Sequence, residues 1–348
     1  MNTKLASLLN KRKKIDSSNF LLMVTILLFV AMYILGAILY HDKKFATMQI
    51  FLNMLIDNAG LLIAASGMTL VMITGGIDIS VGSVVGLMCM ILSYTMEKKG
   101  FAAGSAIAIV LCFGLVFGAF QGWLISYMEL QPFIITLAGL FFCRGLTAVI
   151  SSEQIAIKAN EFFLSVAKAK INIPIGVYTN KKGVPIIPFI HPSVVIALIV
   201  VVVVWYMLRY TRFGRNLFAI GGNETSALLM GINVKRTKFF AYMVEGFLAS
   251  LAGFVFCLNT TAGFVEQARG FEMEAISSAV IGGTMLTGGV GTVVGTFFGV
   301  LIKATIETLI RCQGTLSSWW NKIVLSIILC FFIVLQSVFI IIKNRKKS

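Results

Sequence analysis

Charge is scarce in this chain of 348 residues. Asp, Glu, Lys and Arg together make up 12%, about half the share found in soluble domains. Histidine occurs twice, as His41 and His191, too few for a metal cluster. The six cysteines (Cys89, Cys112, Cys143, Cys257, Cys312 and Cys330) have no paired metal or redox spacing. They sit in or beside apolar stretches, where cysteine acts as a small packing residue. There is no Gly-x-x-x-x-Gly-Lys-Ser/Thr sequence to cradle a nucleotide phosphate and no His-Glu-x-x-His. Two histidines leave no convincing Ser/His/Asp set. These absences argue against catalysis, and no cofactor or metal is expected. A soluble enzyme, a disordered chain and a small disulfide scaffold are all excluded by what fills the chain instead: 58% apolar residues, gathered in long blocks.

A membrane-crossing helix needs ~20 apolar residues. Blocks suited to that role lie at about 20–40, 50–73, 79–96, 101–127, 132–150, 191–208, 238–258, 273–287, 290–310 and 319–342. The chain is therefore expected to be an all-α integral membrane protein of about ten transmembrane helices. Some of these are short or Gly-interrupted, and 273–287 is a candidate re-entrant segment. The first block is too long for a signal-peptide core and has no convincing cleavage site after it.

The formal net charge is +15, and 15 Lys and Arg fall in three places: residues 4–14, 209–238 and 343–347. Basic residues mark cytoplasmic segments. Both termini and the 209–238 loop are therefore expected in the cytoplasm, and 151–190, with three of the five prolines, outside. Lys43, Lys44, Lys98 and Lys99 fall outside in this scheme, against the local charge rule. A nucleic-acid partner is not expected, because the basic residues frame apolar blocks and no soluble domain.

Within the blocks, Gly114, Gly118 and Gly122 are spaced by four, as are Gly291, Gly295 and Gly299. This spacing lets helix backbones approach closely. There is also an internal echo. Thr74-Gly75-Gly76 leads into Val81-Gly82-Ser83-Val84-Val85-Gly86, and Thr287-Gly288-Gly289 leads into Val290-Gly291-Thr292-Val293-Val294-Gly295. Gly-interrupted apolar segments in both halves of a chain point to a transporter.

Gly75-Gly76 should break one helix, with Asp78 where the next begins. There it serves either as a cap for free N–H groups or as a polar group lining a path. Arg144 lies inside an apolar block, where a charge is expensive and faces a cavity or a partner. Glu245 is a possible partner. Asp57 and Asn58 interrupt the second block and join Asp78, Arg144 and Glu245 as path candidates. Glu272 and Glu274 suit a solvated helix start, and Trp319 and Trp320 suit a headgroup anchor.

The 209–238 loop contains a short helix of its own. Asn223 is a good N-cap, Glu224 favours the positive helix end, and Gly231 is a natural stop. Ala227, Leu228, Leu229 and Met230 give it an apolar face. That face fits either a groove on a partner or the membrane surface.

The segments TLVMITGGIDISVGSV, QPFIITLAGLFFCRGL, TRFGRNLFAIGGNETSALLMGINV and AISSAVIGGTMLTGGVGTVVGT together resemble the permease subunits of ribose-type ABC sugar importers. The resemblance covers roughly 50–340 and is nearest to a galactofuranose permease over the C-terminal GTLSSWWNKIVLSIILCFFIVLQ. It implies a monosaccharide substrate and a bacterial inner membrane. It also implies a second permease (identical or different), an external sugar-binding protein and a separate cytoplasmic ATPase. By the same resemblance Gly221, Gly222, Asn223, Glu224, Leu228, Leu229 and Gly231 belong to the ATPase-coupling helix. An ion-driven transporter using Asp57, Asp78 or Arg144 as coupling charges is the alternative, and it would have no need of that helix.

Overall fold

The computed structural model describes residues 17–179, 185–315, 317 and 319–345. The basic residues at 4–14 and Lys346–Lys347, on which the expected placement of the termini rests, lie outside them. The helices are α1 Ser17–Leu39, α2 Met48–Asp57, α3 Ala59–Ile73, α4 Val81–Ser93, α5 Ala103–Ser126, α6 Pro132–Ile150 and α7 Glu161–Lys168. They continue with α8 Pro192–Tyr210, α9 Arg212–Gly222, α10 Glu224–Leu229, α11 Val234–Thr260, α12 Phe271–Ile281, α13 Val293–Gln313 and α14 Trp319–Arg345.

The centre of the bundle is α3. It is apolar on every side, and every residue from Ala59 to Ile73 is buried, as a helix without a polar face requires. Around it pack α11, α8, α12 and α13, and α4 lies beside α11. At the periphery α1, α6 and α8 expose large apolar side chains such as Leu27, Ile38, Phe141, Val149 and Val202. Exposed apolar surface of this extent fits a lipid surround.

Glycine sets the closest helix contact. On α5, Gly114, Gly118 and Gly122 face α11, and Gly246 faces them in return. A Cβ on Gly118 would lie 2.5 Å from the Tyr242 carbonyl oxygen and 2.9 Å from Gly246 Cα. One on Gly122 would lie 2.7 Å from the Phe239 carbonyl. A second seam joins α12 to α13, where Gly295 and Gly299 meet the backbone of Gly282 and Ser278. Gly291 sits 2.9 Å, measured to a Cβ built there, from the Thr284 side chain.

Among the described residues, six helices are long and apolar enough to cross a membrane, and the pair α2–α3 makes a seventh if it crosses as one. About ten helices were expected, some short or Gly-interrupted and 273–287 a candidate re-entrant segment, so the two counts differ chiefly at such segments. At the α2–α3 junction the chain bends by 57°, where the Asn58 amide donates to the Met54 carbonyl (3.0 Å) and competes with the helical ladder. The block at 79–96 runs on from α4 into a π-helical turn at Tyr94–Lys98, and that at 273–287 yields only 11 residues in α12. At 1.5 Å per residue α12 is about 17 Å long, short of a ~30 Å hydrocarbon core.

The broken backbone beside these short helices is satisfied within the protein, as a membrane interior demands. The Gly289 N–H donates to the Ile73 carbonyl (2.9 Å), and the Met285 N–H to that of Val290 (2.9 Å). The Thr25 hydroxyl of α1 donates to the Ile281 carbonyl (2.7 Å), at the end of α12.

Residues 73–76, 126–131, 210–235 and 282–291 gather at one end of the bundle, the loop end. The far end holds 40–47, 97–101, 151–179, 185–191, 260–270 and 311–315. There, short antiparallel strands pair Ile155–Ala156 with Ala262–Gly263, and Ile171–Asn172 with Phe189–Ile190. The Glu97 carboxylate accepts the N–H groups of Lys158 and Ala159 (2.8 and 2.9 Å). These bonds hold its carboxyl below the ordinary range.

Candidate coupling face and translocation path

Three N-caps in succession build the loop end. Thr211 accepts from the Gly214 N–H (3.2 Å), Asn223 from the Ser226 N–H (2.7 Å) and Asn233 from the Arg236 N–H (2.9 Å). They start α9, α10 and α11 and turn the chain sharply between them. Gly231, at φ +79°, follows the end of α10 in the left-handed conformation that glycine tolerates best. The sequence reading found α10 and missed α9; the signal for α9 was Thr211 ahead of an amphipathic run.

Ala227 is buried with Ile220 and Val234, which fastens α10 to α9 and α11. Leu228, Leu229 and Met230 are 62%, 84% and 68% exposed. Glu224 pairs with Lys238 (2.7 Å) and Glu129 with Lys235 (2.7 Å). The lysine beside Glu129 holds that carboxyl below its ordinary range. Between α10 and the α5–α6 connection lies an open groove of about 920 Å³ lined by Ile125, Glu129, Pro132, Leu228 and Ile232.

The end of α9 is seated on both broken segments. A Cβ on Gly221 would overlap the Ile73 carbonyl, and one on Gly289 would lie 2.9 Å from Gly222 Cα. On Gly288 it would lie 2.8 Å from Gly75 N and 3.1 Å from Gly221 Cα. Gly75, Gly288 and Gly289 have φ of +82°, +82° and +74°. Three Gly-Gly pairs far apart in sequence (75–76, 221–222 and 288–289) thus meet at one point. No local periodicity could have shown this; the shared dipeptide was the only trace.

Polar groups occupy the interior above this point. Asp78 is buried and accepts from the Ser80 N–H (2.8 Å) and hydroxyl (2.6 Å) just ahead of α4. Ser80 is also the acceptor for the Gln121 amide (3.2 Å). Glu245 is fully buried, and neither of its oxygens has a hydrogen-bond partner; nor has the Tyr242 hydroxyl. Both side chains fill space left by missing ones, because a Cβ on Gly67 would overlap the Glu245 carboxylate and one on Gly76 the Tyr242 hydroxyl.

Arg144 does not pair with Glu245. It donates to the carbonyls of Val265 (3.1 Å) and Gln267 (2.6 Å), so it clamps the strap that joins α11 to α12. The strap passes close over α4: a Cβ on Gly86 would lie 2.8 Å from the Gln267 carbonyl, and one on Gly82 3.0 Å from that of Ala268. Glu272 also lies against Gly82.

Asp57 and Asn58 lie near the far end. Asp57 pairs with Arg311 (3.1 Å). Asn58 accepts from Lys303 (3.0 Å), and that ammonium also pairs with Glu307 (2.7 Å) and Glu274 (3.1 Å). Sequence reading passed over Lys303, although Glu307 at i+4 in an apolar run was a usable signal. Asp57 and Asn58 thus share one polar region, Asp78 and Glu245 lie in the interior, and Arg144 reaches from α6 to the strap.

Residues 50–333 match the family described as "Branched-chain amino acid transport system / permease component". The inner membrane ABC transporter permease protein YjfF of Escherichia coli K12 is 43% identical, over 95% of this chain and 96% of its own length. The fructose import permease FruG of Bifidobacterium longum is 34% identical, over 96% and 95%. The ribose import permease RbsC of E. coli K12 is 33% identical, over 88% and 92%. No solved structure matches the chain. The chain therefore belongs to this permease family of ABC importers and is a multi-pass protein of the bacterial inner membrane.

Proposed function

We propose that this chain forms the translocation path of an ATP-driven monosaccharide importer, with galactofuranose the favoured sugar. In this reading ten segments traverse the bilayer, the short and broken ones included. The loop end and both termini are cytoplasmic, and 151–190 faces outward. The partners are an ATPase on the cytoplasmic face, a second permease (identical or different) and an external sugar-binding protein. Relatives are named for import of fructose and ribose, which supports a sugar cargo.

The observation that carries the reading is the seat of Gly221-Gly222 on Gly288-Gly289 and Ile73. A helix pair that offers an apolar face to a partner is thereby in contact with both broken intramembrane segments. When ATP binding moves α10, the push passes through α9 to the Gly288–Gly289 turn and to the Ile73–Gly75 end of α3. A partner shifts the balance between outward-open and inward-open states only if it binds them unequally. The exposed Leu228, Leu229 and Met230 would provide the surface for that difference.

Gentle purification of the tagged chain from its own cells, followed by mass spectrometry, tests this. An ATPase is expected in the same peak, and a second permease there would identify a heterodimer. Recovery of the chain alone, even after cross-linking, would overturn the reading in favour of an ion-driven carrier.

A further inference from the structure

α14 packs against α12 and α13, and a cleft of about 360 Å³ lies between the three helices in their far-end half. Its depth is apolar, lined by Met273 and Ile276 of α12, Ile306 of α13, and Leu325 and Leu329 of α14. Asn321, Leu325 and Leu329 follow one another at four-residue steps, so a single stripe of α14 faces the cleft. Trp319 and Trp320, 70% and 45% exposed, stand at the start of that helix. Such tryptophans mark the headgroup level of a bilayer, which puts the apolar depth at the level of lipid chains.

The mouth of the cleft carries separated charge. On the α12–α13 wall, Glu274 and Glu307 share the one ammonium of Lys303 (3.1 and 2.7 Å), so that wall holds one carboxylate in excess. On the α14 wall, Lys322 pairs with no carboxylate among the described residues and lies over the Trp319 ring (4.9 Å). Beside it, Asn321 Oδ1 is buried without a hydrogen-bond partner. A guest that suits both walls brings an anionic group to Lys322, and a cation with N–H donors to Asn321 and the carboxylates. It also brings an apolar tail for the depth.

We propose that this cleft binds one zwitterionic phospholipid whose headgroup ends in a primary ammonium, of the phosphatidylethanolamine class. Its phosphate meets Lys322, its ammonium meets Asn321 and the Glu274–Glu307 wall, and part of one acyl chain fills the cleft. A quaternary headgroup has no N–H to donate, and a purely anionic one would face the excess carboxylate. Bound in this way, the lipid braces α14 against α12, the short helix that leads into the broken segment at 282–291. The site does not depend on the importer reading and requires only that the chain lies in a bilayer.

The test is native mass spectrometry of the full chain in mild detergent, titrated with phosphatidylethanolamine, phosphatidylcholine and phosphatidylglycerol of matched chains. One phosphatidylethanolamine per chain is expected to survive release from the micelle, bound about tenfold tighter than either of the others. Lys322→Ala should weaken it about tenfold. Glu307→Gln leaves Lys303 matched by Glu274 alone, so the gap between phosphatidylethanolamine and phosphatidylglycerol should narrow. Ser326→Phe, at an exposed position that lines the cleft, should block retention, while Phe141→Ala on α6, away from the cleft, should change nothing. Size-exclusion chromatography of each variant reads its folding. Equal retention of the three lipids, which is annular lipid only, would overturn the proposal. So would tighter binding of phosphatidylglycerol, an unchanged gap in Glu307→Gln, or full retention in Ser326→Phe. An empty cleft in which a photocrosslinker at position 326 captures a second permease would overturn it as well.

Discussion

Replacing Leu228 and Leu229 together by Asp is expected to abolish recovery of the ATPase with this chain, while the chain still inserts and folds. The two side chains are 62% and 84% exposed, so little internal packing is lost with them. What holds α10 in place is Ala227, buried against α9 and α11, and the Asn223 cap, and neither is altered. Burying a leucine at an interface contributes about 1.5–3 kcal/mol. Losing two removes about 3–6 kcal/mol, or roughly a hundredfold to ten-thousandfold in affinity. Burial of two carboxylates in an apolar groove would add further cost. Pull-down of the partner, with size-exclusion chromatography of the variant as the folding control, reads the result. Unchanged association would remove α10 from the coupling interface.

Gly289→Val has the second large effect, and it separates assembly from transport. Gly289 sits at φ +74°, a conformation that costs a β-branched residue about 1–3 kcal/mol. A Cβ there would come within 2.9 Å of Gly222 and 3.0 Å of the Gly221 carbonyl carbon, so α9 must move off its seat. The exposed face of α10 is untouched, and the ATPase should still co-purify. Sugar uptake is expected to fall more than tenfold, with ATP hydrolysis no longer responding to the loaded binding protein. Gly289→Ala should lie between the variant and the parent chain. Normal uptake by the valine variant would show that the glycine contact transmits nothing.

Helix positions were legible in the sequence because apolar length is a strong local signal. The blocks at 101–127, 132–150 and 191–208 correspond to α5, α6 and α8 within a few residues. The glycines at 114, 118 and 122 declared a close helix contact, but not its partner. Gly246, which completes the contact, has no glycine four residues away in its helix and so carries no such spacing to read. Helix length failed as a guide where the chain breaks. The apolar content at 273–287 marks a candidate re-entrant segment but not where its helix stops, and Gly282–Thr292 folds outside the helices, as does Gly75–Ser80 ahead of α4. Composition is blind to such backbone breaks.

Ionic partners were the least legible part. Arg144 and Glu245 looked like a natural pair because each was the unusual charge of its helix. The arginine instead binds two carbonyls of the strap, contacts that no pattern of side chains encodes. Lys303 collects Asn58, Glu274 and Glu307 from three elements, and only the last is a sequence neighbour. Glu245 itself keeps two unpartnered oxygens in the interior, an arrangement that membrane proteins retain chiefly where it serves function.

The most direct measurement is sugar uptake into proteoliposomes that hold this chain with its co-purified ATPase. The binding protein is supplied on one side of the membrane and ATP on the other. Coupling through the loop end predicts uptake that requires ATP and survives an uncoupler. Uptake that proceeds without ATP and collapses with the ion gradient would contradict it.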